Sequence, residues 1–202
     1  MRRSPRPPLP PGVDAVRAAF VYDGVARELI ARLKYRNERG VLPWVVACMA
    51  EEVDRSWSFD VVTWVPTTGA RRAVRGFDQA ELLARRLAAR VGVRPRSCLA
   101  RGSGAPQTGA PWARRRTGPP LLARGSQRGR RVLVVDDVLT SGATLTRAAA
   151  ALRAGGACSV TALVAAWRPP GIGAARTGAA PYSPGPNASR DSGKYPQNRA
   201  NR

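Results

Sequence analysis

Val132-Leu133-Val134-Val135-Asp136-Asp137-Val138-Leu139-Thr140-Ser141-Gly142-Ala143-Thr144 is the stretch that decides the fold. Its four leading apolar residues predict a central strand over 131–135, buried on both faces. Two acids follow at the carboxyl end, where open α/β sheets bind their ligands. A hydroxyl-rich turn then opens a helix predicted over 143–154. Gly142 suits a close backbone approach and an unusual dihedral. The amides of residues 140–144 would present donors and a positive dipole end to an anion. Thr140, Ser141 and Thr144 add hydroxyl donors, and Ala143 is the first helical residue. Asp136 and Asp137 would repel a bare phosphate, but carboxylates accept hydrogen bonds well from the two hydroxyls of a ribose. A phosphate cradle beside two sugar-binding acids describes a ribose 5-phosphate site. It is not the nucleotide loop that ends in Gly-Lys-Ser/Thr.

Outward from this stretch, strand and helix signals alternate. Val25, Leu29, Ile30 and Leu33 fall at helical spacing, so a helix is predicted over 25–35, with a second over 42–53. A short strand is expected over 60–65, stopped by Pro66. The helix over 80–91 is signalled by Asp78 as N-cap, by Glu81 three residues on, and by Phe77 as a staple onto Leu82. Further strands are expected over 97–100 and 158–166. Alternation of this kind points to an α/β domain with a mainly parallel central sheet flanked by helices. The Pro- and Arg-rich residues 1–19 read as poorly ordered and residues 20–168 as the domain. Residues 169–202 read as a disordered, basic, Pro/Gly-rich tail.

Composition narrows the chemistry. The chain of 202 residues has no histidine, and Cys48, Cys98 and Cys158 are isolated. A Cys/His zinc site and a His-assisted nucleophile are thereby disfavoured, and each cysteine reads as a small buried hydrophobe. No apolar run is long enough to span a bilayer, and the basic N-terminus lacks the apolar stretch of a secretory signal, so the cytoplasm is the expected compartment. The net charge is +21, yet only Lys34 and Lys194 among the 34 basic residues are lysines. The excess is local: Arg94 to Arg131 holds ten arginines and no acid. Such a Gly/Pro-rich segment would meet a polyanion, either the phosphates of a small ligand or a nucleic-acid backbone.

A second signature runs from Val65 to Ala84, and contains Pro66-Thr67-Thr68-Gly69, Arg71-Arg72, Arg75-Gly76-Phe77-Asp78-Gln79 and Glu81-Leu82-Leu83. Physically it is a strand end, a turn, an arginine cluster and a capped helix. Arg71, Arg72 and Arg75 would neutralise a second anionic group across the site, or else form a solvated basic turn.

With these residues in view, the stretch around Asp136-Asp137 resembles the phosphoribosyl-diphosphate (PRPP) motif of type I phosphoribosyltransferases. The Arg75 to Leu83 segment is similar to the signature of the ComF family, competence-associated proteins that carry such a domain. Tyr22-Asp23-Gly24 with Leu33-Lys34-Tyr35-Arg36 resembles that family's first helix, and Pro106-Gln107-Thr108-Gly109 with Arg114-Arg115-Arg116 its flexible loop. The cysteine-rich zinc ribbon with which family members commonly begin has no counterpart here, and whether another chain supplies it stays open. Thr117-Gly118 stands where the family's loop often has an Asn.

The resemblance implies a type I phosphoribosyltransferase-like fold with a flexible arginine-rich loop. It also implies transfer of ribose 5-phosphate from PRPP, with Mg2+, to a nucleophile. Asp136 and Asp137 would hold the ribose, and one of them would deprotonate the acceptor. Thr67, Thr68, Gly69, Arg71, Arg72 and Arg75 would lie on the diphosphate side, Gln107, Arg114 and Arg115 on the closing loop. Lys34, Gly76, Phe77 and Gln79 are carried as further family positions. No residue is assigned as a metal ligand. Two other readings stay open. In one, the fold only senses PRPP and serves DNA uptake, binding single-stranded nucleic acid or a competence helicase. In the other, the arginine loop and tail dock an acidic protein. The acceptor and a homo-oligomeric state are likewise open.

Overall fold

Residues 1–35, 39–69, 72–73, 76–102 and 120–171 are described by a computed structural model. In chain order they form β1 (Ala15–Val21), α1 (Gly24–Tyr35), α2 (Leu42–Glu51), β2 (Val61–Trp64), α3 (Gln79–Arg90), β3 (Leu99–Arg101), β4 (Leu121–Ala123), β5 (Arg131–Leu139), α4 (Ala143–Ala154) and β6 (Ser159–Trp167). Four strands make a parallel sheet in the order β1-β6-β5-β2, and β3 pairs antiparallel with β4 in a separate ribbon.

The apolar run behaves as its alternation demands. Val132 and Val134 face one layer, with Leu145, Ala148 and Leu152 of α4 and Leu99 and Leu121 of the ribbon. Leu133 and Val135 face the other, with Ile30 and Leu33 of α1, Val45 and Met49 of α2, and Leu83 and Leu87 of α3. A strand covered on both sides has no polar face, which is why this run carries no alternating polar residue. Each such side chain, fully buried, contributes about 1.5–3 kcal/mol.

Polar contacts pin the strand starts. Asp60 takes the backbone N–H of Arg131 at 2.8 Å and its guanidinium at 2.7 Å, which ties the start of β2 to β5. Asp14 does the same beside β1, accepting from Val160 N–H at 2.7 Å and from Arg153 at 2.5 Å. The open edge of β2 is occupied by the chain after α3, where Val62 exchanges hydrogen bonds with Arg94 and Arg96 at 3.0 and 2.9 Å.

Several expectations change here. Residues 1–19 do not all lie outside the folded domain. β1 begins at Ala15, Val13, Val16, Ala18 and Ala19 are buried, and Arg3 bridges Phe20 on the outer edge of β1. Pairing with β6 supplies what the local composition does not. β5 continues past Val135 to Leu139, because β6 matches it residue for residue, Asp136 opposite Val164 and Leu139 opposite Trp167. β4 lies within the Gly/Pro- and arginine-rich stretch, where no strand is expected from the sequence. Of the cysteines, only Cys98 is buried, Cys48 being partly so and Cys158 exposed. The expected closing loop, with Gln107, Arg114 and Arg115, lies outside the described residues, as do Arg71, Arg75 and residues 172–202. No helix among the described residues is long and apolar enough to cross a membrane.

Candidate functional site

Two turns and one strand end build the site. β2 ends at Trp64 and the chain turns through Pro66 and Thr67 back onto α3. The turn is held by Asp78. One of its carboxylate oxygens accepts from Thr67 N–H at 2.7 Å, the other from Ala80 N–H at 3.1 Å and Glu81 N–H at 3.4 Å. Asp78 is thus the N-cap read from the sequence and also the clamp between loop and helix. It is 5% exposed, and burial pushes its carboxyl above the ordinary range against the pull of those three N–H donors.

At the far end of β5, Asp136, Asp137 and Val138 open into a cleft of about 380 Å³. Its other walls come from Lys34 at the end of α1, from Pro66 and Thr67, from Gln79, and from Thr144 in the first turn of α4. Lys34 Nζ lies 2.8 Å from Asp137 Oδ2. Asp136 Oδ1 accepts from Asp137 N–H at 2.8 Å. The Asp136 carboxyl is pushed up to about 8, first by burial and then by the charge of Asp137. The Asp137 N–H and the Lys34 ammonium act against that rise.

Beside the cleft, Thr140, Ser141 and Gly142 line a small recess that also touches Asp136 and Thr144. Gly142 is the N-cap of α4, with φ 78° and ψ −12°, a left-handed conformation that favours glycine. A methyl group there would also meet Pro10 at 3.4 Å, so the N-terminal arm lies against this turn. Ala143 N–H makes a long contact to Ser141 Oγ, at 3.5 Å, and the N-cap, being glycine, offers α4 no side-chain acceptor. A helix start without a cap, next to a recess, can receive an anion.

The structure therefore brings together Asp136, Asp137, Thr140, Ser141, Gly142, Thr144, Thr67, Lys34 and Gln79. Thr68, Gly69, Arg72 and Gly76 follow the Pro66–Thr67 turn without lining the cleft, and Arg72 is exposed. Phe77 is buried beneath the Arg39 guanidinium, which sits 5.1 Å from its ring centre. Arg101 was not singled out from the sequence. Its Nε donates to Pro66 O at 2.7 Å and it enters the cleft, but in a run of arginines nothing local marks it.

Magnesium finds no ready cage in these residues. No group of three or more His, Cys, Asp or Glu converges as a metal site among the described residues. Of the three aspartates that line the cleft, Asp137 is paired with Lys34 and Asp78 is taken by backbone N–H groups. The ion fits only as one carried by a ligand's own phosphate oxygens.

A family model described as the phosphoribosyl transferase domain matches residues 46–180, about two thirds of the chain. Among curated proteins, none matches the sequence. Similar solved structures include glutamine PRPP amidotransferase from B. subtilis, complexed with ADP and GMP, at 26% identity and TM-score 0.44. The match covers 61% of this chain and 26% of that one. A structure titled as the allosteric regulatory enzyme of purine biosynthesis is also 26% identical, with TM-score 0.42, and the match covers 62% of this chain and 25% of that one. Purine phosphoribosyltransferase from Pyrococcus horikoshii Ot3 is 20% identical with TM-score 0.43, covering 63% and 74%. The chain thus spans about a quarter of the length of the first two proteins. By its α/β fold around a parallel sheet and by the span of the family match, this chain belongs to the phosphoribosyl transferase domain family.

Proposed function

We propose that the protein binds PRPP with magnesium in the cleft at the end of β5 and transfers ribose 5-phosphate to a nucleophile. The observation that carries this reading is the adjacency of the Asp136–Asp137 pair to the uncapped Thr140–Thr144 turn. The 5-phosphate would sit on the amides of that turn and the ribose hydroxyls on the acids. In the transfer, the bond from ribose C1 to the diphosphate oxygen breaks and one to the nucleophile forms. The nucleophile's proton passes to a carboxylate of the pair or to the substrate itself, since the chain has no histidine. Bound with the ligand, magnesium supplies charge neutralisation for the departing diphosphate. Thr67, Thr68, Gly69, Arg71, Arg72 and Arg75 are assigned to the diphosphate side, and Gln107, Arg114 and Arg115 to a loop that excludes water. The compartment proposed for such a protein is the cytoplasm.

The test is a titration with PRPP and magnesium, followed by an assay of diphosphate release across a panel of nucleobases. Binding with release identifies the acceptor class. Binding without release points to PRPP sensing, and no binding removes the reading.

A second reading follows the ComF resemblance to a competence module that binds single-stranded nucleic acid or a helicase. It is favoured by Arg94, Arg96, Arg124 and Arg128, all exposed and none paired with an acid among the described residues. Its expected result is single-stranded DNA binding that weakens steeply with salt and is lost mainly on replacing Arg114, Arg115 and Arg116. Binding that is absent, or indifferent to salt, counts against it.

A further inference from the structure

Lys34 is one of two lysines among 34 basic residues, and it enters the cleft. It precedes the span of the family match. Its backbone is held from behind, since Gln79, itself 2% exposed, donates from Nε2 to Lys34 O at 3.4 Å. Its ammonium meets Asp137 Oδ2 at 2.8 Å, with side-chain exposures of 17% and 20%. Asp136 is placed differently. Its Oδ1 is taken by the Asp137 N–H, and no cation lies within ion-pair distance among the described residues. The charged groups that face Asp136 are Asp137 on β5, Lys34 on α1, Asp78 ahead of α3 and, across the cleft, Arg101 on β3.

The choice of lysine has a physical consequence. An ammonium is a point charge that can engage one carboxylate oxygen and leave the other open. A guanidinium presents a planar fork that covers both oxygens. With Lys34 on Oδ2, Asp137 Oδ1 stays available to a ligand hydroxyl. The neighbouring Asp136, which burial keeps protonated into the neutral range, supplies a neutral carboxyl. A charged and a neutral carboxyl side by side offer acceptors and one donor, which suits two adjacent hydroxyls.

We infer that Lys34 is a positioning residue for the acid pair: its ammonium holds Asp137 by Oδ2, leaves Oδ1 to a ligand hydroxyl, and so sets how tightly the cleft takes a ribose 5-phosphate. The inference rests on the reading of the cleft as a ribose 5-phosphate site. The sign follows from charge. Removing the cation disfavours ionisation of Asp136 further, so the upper limb of the binding profile moves to higher pH. Binding at neutral pH weakens because Asp137 loses the partner that orients it.

The experiment is calorimetry of ribose 5-phosphate binding between pH 6 and 9.5 to the full chain and to two variants. Lys34→Met, which keeps the stem, is expected to lose about tenfold at pH 7 and to move the upper limb of its binding profile up by about one pH unit, so that the loss relative to the unaltered protein narrows towards pH 9. Lys34→Arg is expected to keep the wild-type profile but bind about tenfold more weakly, because its fork covers Oδ1. An unmoved profile in Lys34→Met, or a loss equal at every pH, overturns the inference. If Lys34→Met does not fold, Lys34→Gln replaces it. If the unaltered protein binds no ribose 5-phosphate, the ribose reading itself fails. Carboxyl ¹³C titration of ligand-free protein then decides the role of Lys34, and aspartate titrations unchanged in Lys34→Met reject it.

Discussion

Replacing both carboxyls of the pair, Asp136→Asn with Asp137→Asn, is expected to abolish PRPP binding and to leave the fold intact. The amide keeps the size of each side chain, and the strand is held by residues that do not change. Leu133 and Val135 are 0% exposed, and the ladder to β6 is made by backbone groups. What is lost is one charge-assisted acceptor, Asp137, and one neutral carboxyl, Asp136, for the ribose hydroxyls. A hydrogen bond to a charged group contributes about 1.5–3 kcal/mol and a neutral one about 0.5–1.5 kcal/mol, so the two together amount to about 30- to 2000-fold in affinity. The single variants separate the two roles. Asp137→Asn is expected to be the more damaging, because it removes the ion-paired carboxylate and leaves the Lys34 ammonium facing an amide. Asp136→Asn is expected to be milder near neutral pH, where burial and the charge of Asp137 already hold that carboxyl protonated. Calorimetry with PRPP and magnesium checks the ranking, and circular dichroism checks the fold. Unchanged affinity in the double variant sinks the assignment of the site.

Asp78→Ala is the substitution expected to cost most in stability. Three backbone N–H groups lose their acceptor at once, those of Thr67, Ala80 and Glu81, around a side chain only 5% exposed. Loss of a helix cap costs about 1 kcal/mol, and a buried donor left without a partner about 1–3 kcal/mol. A total of about 3 kcal/mol lowers the melting temperature by about 6–12 °C in a domain of this size. The turn that carries Thr67 into the cleft is released in the same step, so PRPP affinity falls as well. Asp78→Asn keeps one acceptor oxygen and is expected to recover about half of the loss. A melting temperature within about 1 °C of the unaltered protein would show that water takes over all three donors, and would remove Asp78 from the account of the site.

Much of this was legible because it is local. The run Val132–Val135, the acids after it and the glycine that starts α4 are contiguous, and each imposes its own constraint on the backbone. Asp78 could be read as a cap because caps act over three residues. What escaped depends on partners distant in sequence. β1 looks like the end of a Pro/Arg-rich arm until β6 pairs with it, Val16 opposite Ala162 and Ala18 opposite Val164. β4 is three residues in a run of glycine, proline and arginine, and only Leu99 to Arg101 across from it make it a strand. Lys34 drew notice by its rarity, but nothing near it in sequence forecasts a carboxylate on β5 as its partner. Arg101 had no mark at all, since its role is a hydrogen bond to Pro66 O from a separate ribbon.

The strand order has a consequence for synthesis on the ribosome. β6 runs from Ser159 to Trp167, yet it lies between β1 and β5. While the chain is being made, β5 can pair with β2, but β1 waits without its neighbour until residue 167 has emerged. A nascent chain stalled short of that point exposes two apolar strand edges, the hazard that favours aggregation and chaperone capture. The strand that joins the two halves of the sheet is thus the last of the sheet to be made.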